Sequence, residues 1–284
     1  MKTKAKFYNS IKEDIHCYLC PHNCIIKEGN VGKCNVRLHE KGELYTLNYG
    51  DITALSLDPI EKKPLHYFKP SSQIISVGSY GCNMTCTFCQ NYNISQTTVK
   101  GKYIPKEDLV DMIINTKDNI GIAFTYNEPS IWYEYIYDVS KLLKSKDNSS
   151  SVVLVTNGFI SEEPLKELLP YVDAMNIDLK SFNQNYYKKI CGASLKPVLN
   201  TIELAAKSCH IEVTTLLVSG ENDSLEEIEL ISKFLSELDK TIPLHLSRYF
   251  PRYKMDNPAT DINFMLKAKE TADKYLDNIK LGNV

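Results

Sequence analysis

Ile74-Ile75-Ser76-Val77-Gly78-Ser79-Tyr80-Gly81-Cys82-Asn83-Met84-Thr85-Cys86-Thr87-Phe88-Cys89 passes from an apolar run into three closely spaced cysteines. The run Ile74 to Ser79 has the length and β-branched content of a buried strand. The loop after it, Gly78 to Tyr92, carries Cys82-x3-Cys86-x2-Cys89. Thiolates are preferred ligands of a [4Fe-4S] cubane, whose four irons outnumber three cysteines, so one iron stays open to an external chelate. Zinc favours a fourth protein ligand and a different spacing. A zinc site and three buried thiols without metal are the competing readings.

Outward from this loop, short apolar runs recur at Gly121 to Thr125, Val152 to Thr156, Ala174 to Leu179, Ile211 to Val218 and Pro243 to Tyr249. Helical periodicity separates them, at Lys106 to Thr116, Ser130 to Lys144, Glu162 to Leu169, Lys196 to Ser208, Ser224 to Leu238 and Thr260 to Leu276. Ser224 followed by Glu227 is a capping-box signal. Strand alternating with helix predicts an α/β fold with a parallel sheet, as a partial barrel or an open doubly wound sheet. Polar residues collect past the strand ends: Asn127-Glu128, Asn157, Asp178 with Lys180, and Arg248. Ligands of both architectures bind at the carboxyl ends of the strands. Alternation puts Asp178 and Lys180 on one side of an extended segment and Leu179 on the other.

The 284 residues suffice for one large domain and a small addition, expected as 1–71 and 72–284. Leu44 to Leu57 reads as two strands joined near Gly50-Asp51, a hairpin within the first part. A formal charge of -2 provides no strong field for nucleic acid or an anionic membrane, and no apolar run approaches the roughly 20 residues of a membrane span. Residues Met1 to Lys12 are charged and lack a signal-peptide core, so a cytoplasmic location is expected. Nine cysteines, seven of them in two tight groups, read as metal ligands in a reducing compartment rather than as disulfides. Cys191 and Cys209 stand apart and read as packing residues.

The first group is Cys17-x2-Cys20-x3-Cys24-x9-Cys34, interrupted by Pro21, Gly29 and Gly32. Structural zinc and a second [4Fe-4S] cluster both accept four thiolates, and the spacing does not choose between them. His16 or His22 could replace one ligand of a zinc site. Reduced core cysteines are the third alternative.

The central motif resembles the signature of the radical S-adenosylmethionine (SAM) superfamily. The resemblance implies a partial (β/α)6 TIM-like barrel behind a cysteine-rich, β-containing N-terminal extension. It implies a [4Fe-4S] cluster on Cys82, Cys86 and Cys89 whose open iron chelates SAM. One-electron cleavage of the sulfonium bond then yields a 5'-deoxyadenosyl radical that abstracts a substrate hydrogen, chemistry that side chains cannot supply. By the same resemblance, Phe88 packs beside the adenine. Tyr126-Asn127-Glu128-Pro129 is similar to a Gly-Gly-Glu-Pro motif that binds the SAM amino group, with Asn127 departing from glycine. Asn157 faces ribose or carboxylate oxygens, Asp178 the ribose hydroxyls and Lys180 the SAM carboxylate. His245 and Arg248, on the last predicted strand, are tentative catalytic residues.

A closer resemblance rests on Cys17-x2-Cys20-Pro21-His22-x-Cys24, Asp58-Pro59-Ile60-Glu61-Lys62-Lys63-Pro64-Leu65, Cys89-Gln90-Asn91, Tyr126-Asn127-Glu128-Pro129 and Ser247-Arg248-Tyr249-Phe250-Pro251. Together they resemble the AmmeMemoRadiSam system radical SAM enzyme, a relative of pyruvate formate-lyase activating enzymes, over roughly residues 14 to 284. Many members of that family continue into a tail with a Cys-Pro-x-Cys motif, whereas this sequence ends at Gly282-Asn283-Val284. The resemblance implies a reductant such as flavodoxin or ferredoxin, and either Memo-like and AMMECR-like partners or a protein substrate. Two other readings remain open: activation of a glycyl-radical enzyme, and a non-catalytic sensor that binds SAM and a cluster.

Overall fold

The computed structural model describes residues 2–284. Short antiparallel strands come first. β1 (Thr3–Lys4), β5 (Arg37–Glu40) and β6 (Glu43–Thr46) form one sheet, and β2 (Tyr8–Ile11), β3 (Asp14–Cys17) and β4 (Cys24–Ile26) another. β7 (Asp51–Ile52) pairs with β10 (Lys102–Tyr103). The main sheet has eight strands. β8 (Ala54–Pro59) lies antiparallel on β9 (Gln73–Gly78). Beyond β9 come β11 (Asn119–Phe124), β12 (Ser151–Thr156), β13 (Ala174–Asp178), β14 (His210–Leu217), β15 (Leu244–Arg248) and β16 (Ile279–Gly282), all parallel. The edge strands β8 and β16 are not paired with each other, so the partial barrel stays open.

Each expected strand of the parallel set appears within two residues of its predicted bounds, because a doubly covered strand is written as a continuous apolar run. The helices behave alike. In Leu225–Leu238, the buried Ile228, Ile231 and Leu235 recur at helical spacing. Ser224 Oγ accepts from the Glu227 amide at 3.2 Å. The Glu227 carboxylate does not close a capping box; it accepts from Ser181 Oγ and the Phe182 amide at the end of the neighbouring strand loop.

Two features depart from expectation. The sheet gains β8 and β16 at its edges. The hairpin across Gly50-Asp51 does not form. β6 instead pairs with β5, where Lys41-Gly42 makes the turn, and residues beyond Gly50 leave to join β10 and β9. Gly42 and Lys41 both have positive φ, the requirement of a tight hairpin turn, and Asn48 Oδ1 accepts from Thr46 Oγ1 at the exit of β6.

The segment after β8 positions the site. Ile60 and Leu65 pack on Ile74, Ala123, Val153 and Ala174, one residue from each of β9, β11, β12 and β13. Asn176 Nδ2 donates to Pro64 O at 2.9 Å. The amides of His66 and Tyr67 donate to the two oxygens of Glu212 at 3.0 and 2.8 Å. Residues 60–68 thus seal the amino-terminal end of the barrel, and the opposite end carries the cysteine loop.

Candidate functional site

Backbone contacts clamp the loop after β9. Thr85 N donates to Cys191 O at 2.9 Å, Thr87 N to Ile190 O at 3.1 Å, and Lys254 N to Thr87 O at 2.9 Å. Asn127 Oδ1 accepts from Ser79 N at 2.9 Å, and its Nδ2 donates to Tyr80 O and Gly81 O at 3.3 and 3.2 Å. Asn127 therefore ties the end of β11 to the loop through its own side chain, which a glycine could not do.

Cys82, Cys86 and Cys89 line one cavity of about 740 Å³ together with Phe88, Asn127, Glu128, Asn157, Asp178, Lys180 and His245. This is the size of a site for one small molecule. Met84 N and Asn157 Nδ2 approach Cys82 Sγ at 3.4 and 3.6 Å, and Cys89 Sγ lies 3.1 Å from Ser95 Oγ. Burial raises the Cys82 and Cys89 thiols. Cys86 is lowered, by the Cys191 thiol hydrogen-bonded to it and by Lys180. Among the described residues no three His, Cys, Asp or Glu side chains close on one point as ligands of a single ion do. A cubane places each thiolate on its own iron, so its ligands stand further apart, and three thiols around one cavity fit that group.

Glu128 is buried, and burial raises its carboxyl. Its Oε1 accepts from Ser130 N at 2.9 Å and Thr156 Oγ1 at 2.6 Å, and its Oε2 from Asn157 N at 2.8 Å. The carboxylate lines the cavity that holds the three cysteines. Asp178 and Lys180 pair at 2.9 Å. Burial opposes the Lys180 charge, but Asp178 and the Cys86 thiol raise its pKa well above the usual value. Lys180 Nζ also lies 5.8 Å from the Phe88 ring centre, and Leu179 is buried on the other side. The Asn157 side chain is occupied within the protein: Nδ2 donates to Asn83 Oδ1 at 2.9 Å and Oδ1 accepts from Phe159 N at 2.8 Å.

His245 reaches the cavity, with Nε2 2.6 Å from Glu212 Oε2 and its ring 5.2 Å from that of His66. Burial would raise Glu212, but His210, His245 and the amides of Tyr67 and His66 hold it at about 2. Arg248 is not brought to the cavity. Its Nε donates to Thr260 O at 2.8 Å and its guanidinium covers the Phe250 ring.

Several site residues escaped the sequence reading. Glu212 lies inside an apolar strand run, and only its charge there could have flagged it. Asp58 accepts from Lys63 Nζ and Tyr126 OH, each at 2.9 Å, beside the cavity. Cys191 is not isolated, because the helical turn Tyr187–Cys191 returns it to Cys86.

The four N-terminal cysteines also meet. Cys17, Cys20, Cys24 and Cys34 line a second, much smaller cavity with His22 and Arg37. Burial pushes Cys20 up to about 12 and Cys34 to about 11. His22 Nε2 donates to Asn83 O at 2.6 Å, and Lys33 donates to its Nδ1. His16 is held by Asn9 and Asn23 and does not line this cavity.

An open parallel barrel with a cysteine loop at its carboxyl end defines the class of protein. Residues 76–235 match the Radical SAM superfamily, and the chain belongs to it. An uncharacterized protein of Methanocaldococcus jannaschii is 41% identical over 289 residues, covering 99% of this chain and 85% of that protein. A second protein of that organism, provisionally named a glycyl-radical enzyme activating enzyme, is 30% identical over 73% of this chain and 80% of its own length. The pyruvate formate-lyase 1-activating enzyme of Escherichia coli is 24% identical over 60% of this chain and 71% of its own. The chain is thus a radical SAM enzyme related to the glycyl-radical-enzyme activating enzymes.

Proposed function

We propose that the chain activates a glycyl-radical enzyme, by hydrogen abstraction from a glycine of a partner protein. The observation that carries this reading is the single cavity shared by Cys82, Cys86, Cys89, Glu128, Asp178 and Lys180, in a chain related to such activases. When bound, the [4Fe-4S] cluster and SAM supply reductive cleavage to a 5'-deoxyadenosyl radical.

The protein's own groups bind and orient. Lys180 offers its ammonium to the SAM carboxylate, and Asp178 accepts from the ribose hydroxyls. The Glu128 carboxylate, on the cavity wall, takes the SAM ammonium as a charge-assisted partner. Phe88 supplies an apolar face for the adenine. Asn157 holds Cys82 from behind, and Asn127 fixes the loop. His245, backed by Glu212, stands at the far wall as a proton-handling group. A flavodoxin or ferredoxin fits as the one-electron donor, and the cytoplasm suits nine free thiols.

A second reading makes the chain the radical enzyme of an AmmeMemoRadiSam system, with Memo-like and AMMECR-like partners. The Asp58 to Leu65 segment favours it, because the motif that carries that resemblance seals the cavity floor. Anaerobic reconstitution with dithionite and SAM tests the shared chemistry: 5'-deoxyadenosine should form, and its absence would sink both readings. A glycyl-radical doublet on an added partner protein, seen by electron paramagnetic resonance (EPR), would select the first.

A further inference from the structure

The cysteines outside the barrel form the strongest unassigned constellation. Cys17 ends β3, Cys24 opens β4 opposite it in register, and Cys20 lies in the turn between them. Cys34 arrives from the next turn, where Asn35 N donates to Gly32 O. Four thiols from two turns and two strand ends therefore surround one small cavity.

A second observation points to a ligand there. Arg37 is 1% exposed and lines the same cavity. Its Nη atoms are engaged by Lys6 O and Glu134, but among the described residues its buried Nε has no hydrogen-bond partner. Leaving a buried N–H unpaired forfeits its hydration with nothing in return, so native structures rarely keep one. An anionic centre in the cavity would accept from it.

We propose that Cys17, Cys20, Cys24 and Cys34 hold a second [4Fe-4S] cluster, with Arg37 Nε donating into it. The choice over zinc rests on spacing. These thiols surround a cavity without closing on one point, as do Cys82, Cys86 and Cys89, whereas tetrahedral zinc draws four sulfurs to about 2.3 Å from one ion. Four protein ligands leave no open iron, so this centre does not bind SAM.

Its position assigns a role. An added Cβ on Gly81 would come within 2.8 Å of Cys34 O, so only glycine admits this approach, and Gly81 precedes Cys82. His22, between Cys20 and Cys24, donates to the carbonyl of Asn83, which follows Cys82. Cys34 and Cys82 thus lie within roughly 10 Å through the backbone. Cys24 is half-buried beside exposed Ile25 and Val31, so the outer centre is open to a partner. It would take one electron from a low-potential donor protein and pass that electron inward, returning to its own starting charge. This role rests on the proposed cluster at Cys82, Cys86 and Cys89.

The full chain, reconstituted anaerobically, tests both. Wild type should carry roughly eight irons, four per cluster. Cys82→Ala/Cys86→Ala/Cys89→Ala should keep about half, with an iron–sulfur spectrum indifferent to SAM. Cys24→Ser, at the half-exposed ligand, should lose the other half and keep the SAM response. One zinc in the folded triple variant, or no metal in it, overturns the proposal. A SAM response that survives in the triple variant would instead overturn the proposed function and leave the outer site standing. In reduced wild type the two EPR signals should broaden each other, and unbroadened signals would remove the relay role.

Discussion

The two cysteine groups meet their cavities by different means. Cys82, Cys86 and Cys89 sit on a loop whose take-off is dictated by a buried strand of an eight-stranded sheet, with Ile74, Ile75 and Val77 in the core. Cys17, Cys20, Cys24 and Cys34 sit on strands of three or four residues and their turns, outside that sheet. Short, independent hairpins are marginal in water, so the outer group depends on specific ties to the barrel and on what its thiols bind. One of those ties is a buried ion pair, Arg37–Glu134 at 2.9 Å. Burial of apolar surface suffices for the loop's scaffold; the extension needs named partners.

The largest effect that could break this comparison is on chemistry. Cys82→Ala/Cys86→Ala/Cys89→Ala should abolish 5'-deoxyadenosine formation completely while circular dichroism and thermal unfolding of the barrel change little. Extensive unfolding of that variant would show that the loop, too, relies on its ligand.

Next in size is the tie between the regions. Glu134→Gln leaves the Arg37 guanidinium buried with its charge unbalanced, which should cost about 3–5 kcal/mol in urea unfolding. The loss should appear first in hydrogen exchange of β3, β4 and β5. A neutral substitution would mean that the extension does not hang on this pair.

Within the barrel, Glu212 is fully buried and is held at about 2 against an ordinary 4.5. A depressed folded pKa contributes stability that is present above 4.5 and is lost as pH falls through 2. The contribution is about 3 kcal/mol. Glu212→Gln should therefore flatten the decline of stability between those pH values, measured by unfolding across the range. An unchanged acid limb would exclude the carboxylate as its source. Ser224→Ala, which removes only the cap on Glu227 N, should cost about 1 kcal/mol and leave metal content untouched.

Some of the architecture is legible in the sequence alone. Continuous apolar runs such as Val152 to Thr156 and amphipathic segments such as Leu225–Leu238 report their surroundings in their own residues, because burial on a sheet or a helix face is a local, periodic demand. The hairpin expected at Gly50-Asp51 failed for the complementary reason. A turn signal states that the chain can reverse there, and the partner of each strand is chosen by segments tens of residues away.

The sequence by itself determined the alternation of strand and helix, the position of the three-cysteine loop past a buried strand, and the chemistry its thiols can support. All of these follow from composition and spacing over fewer than about 20 residues, the scale on which periodicity operates. Tertiary structure alone decided that Glu212 takes the amides of His66 and Tyr67, that Cys191 returns to Cys86, and that Arg248 turns away to Thr260. It also brought Cys34 against Gly81 and His22 onto Asn83. Those meetings join segments 12 to 146 residues apart. Which buried polar group finds which partner is settled by the packing of the whole chain, where an unpaired donor or carboxylate is costly, and no local pattern records it.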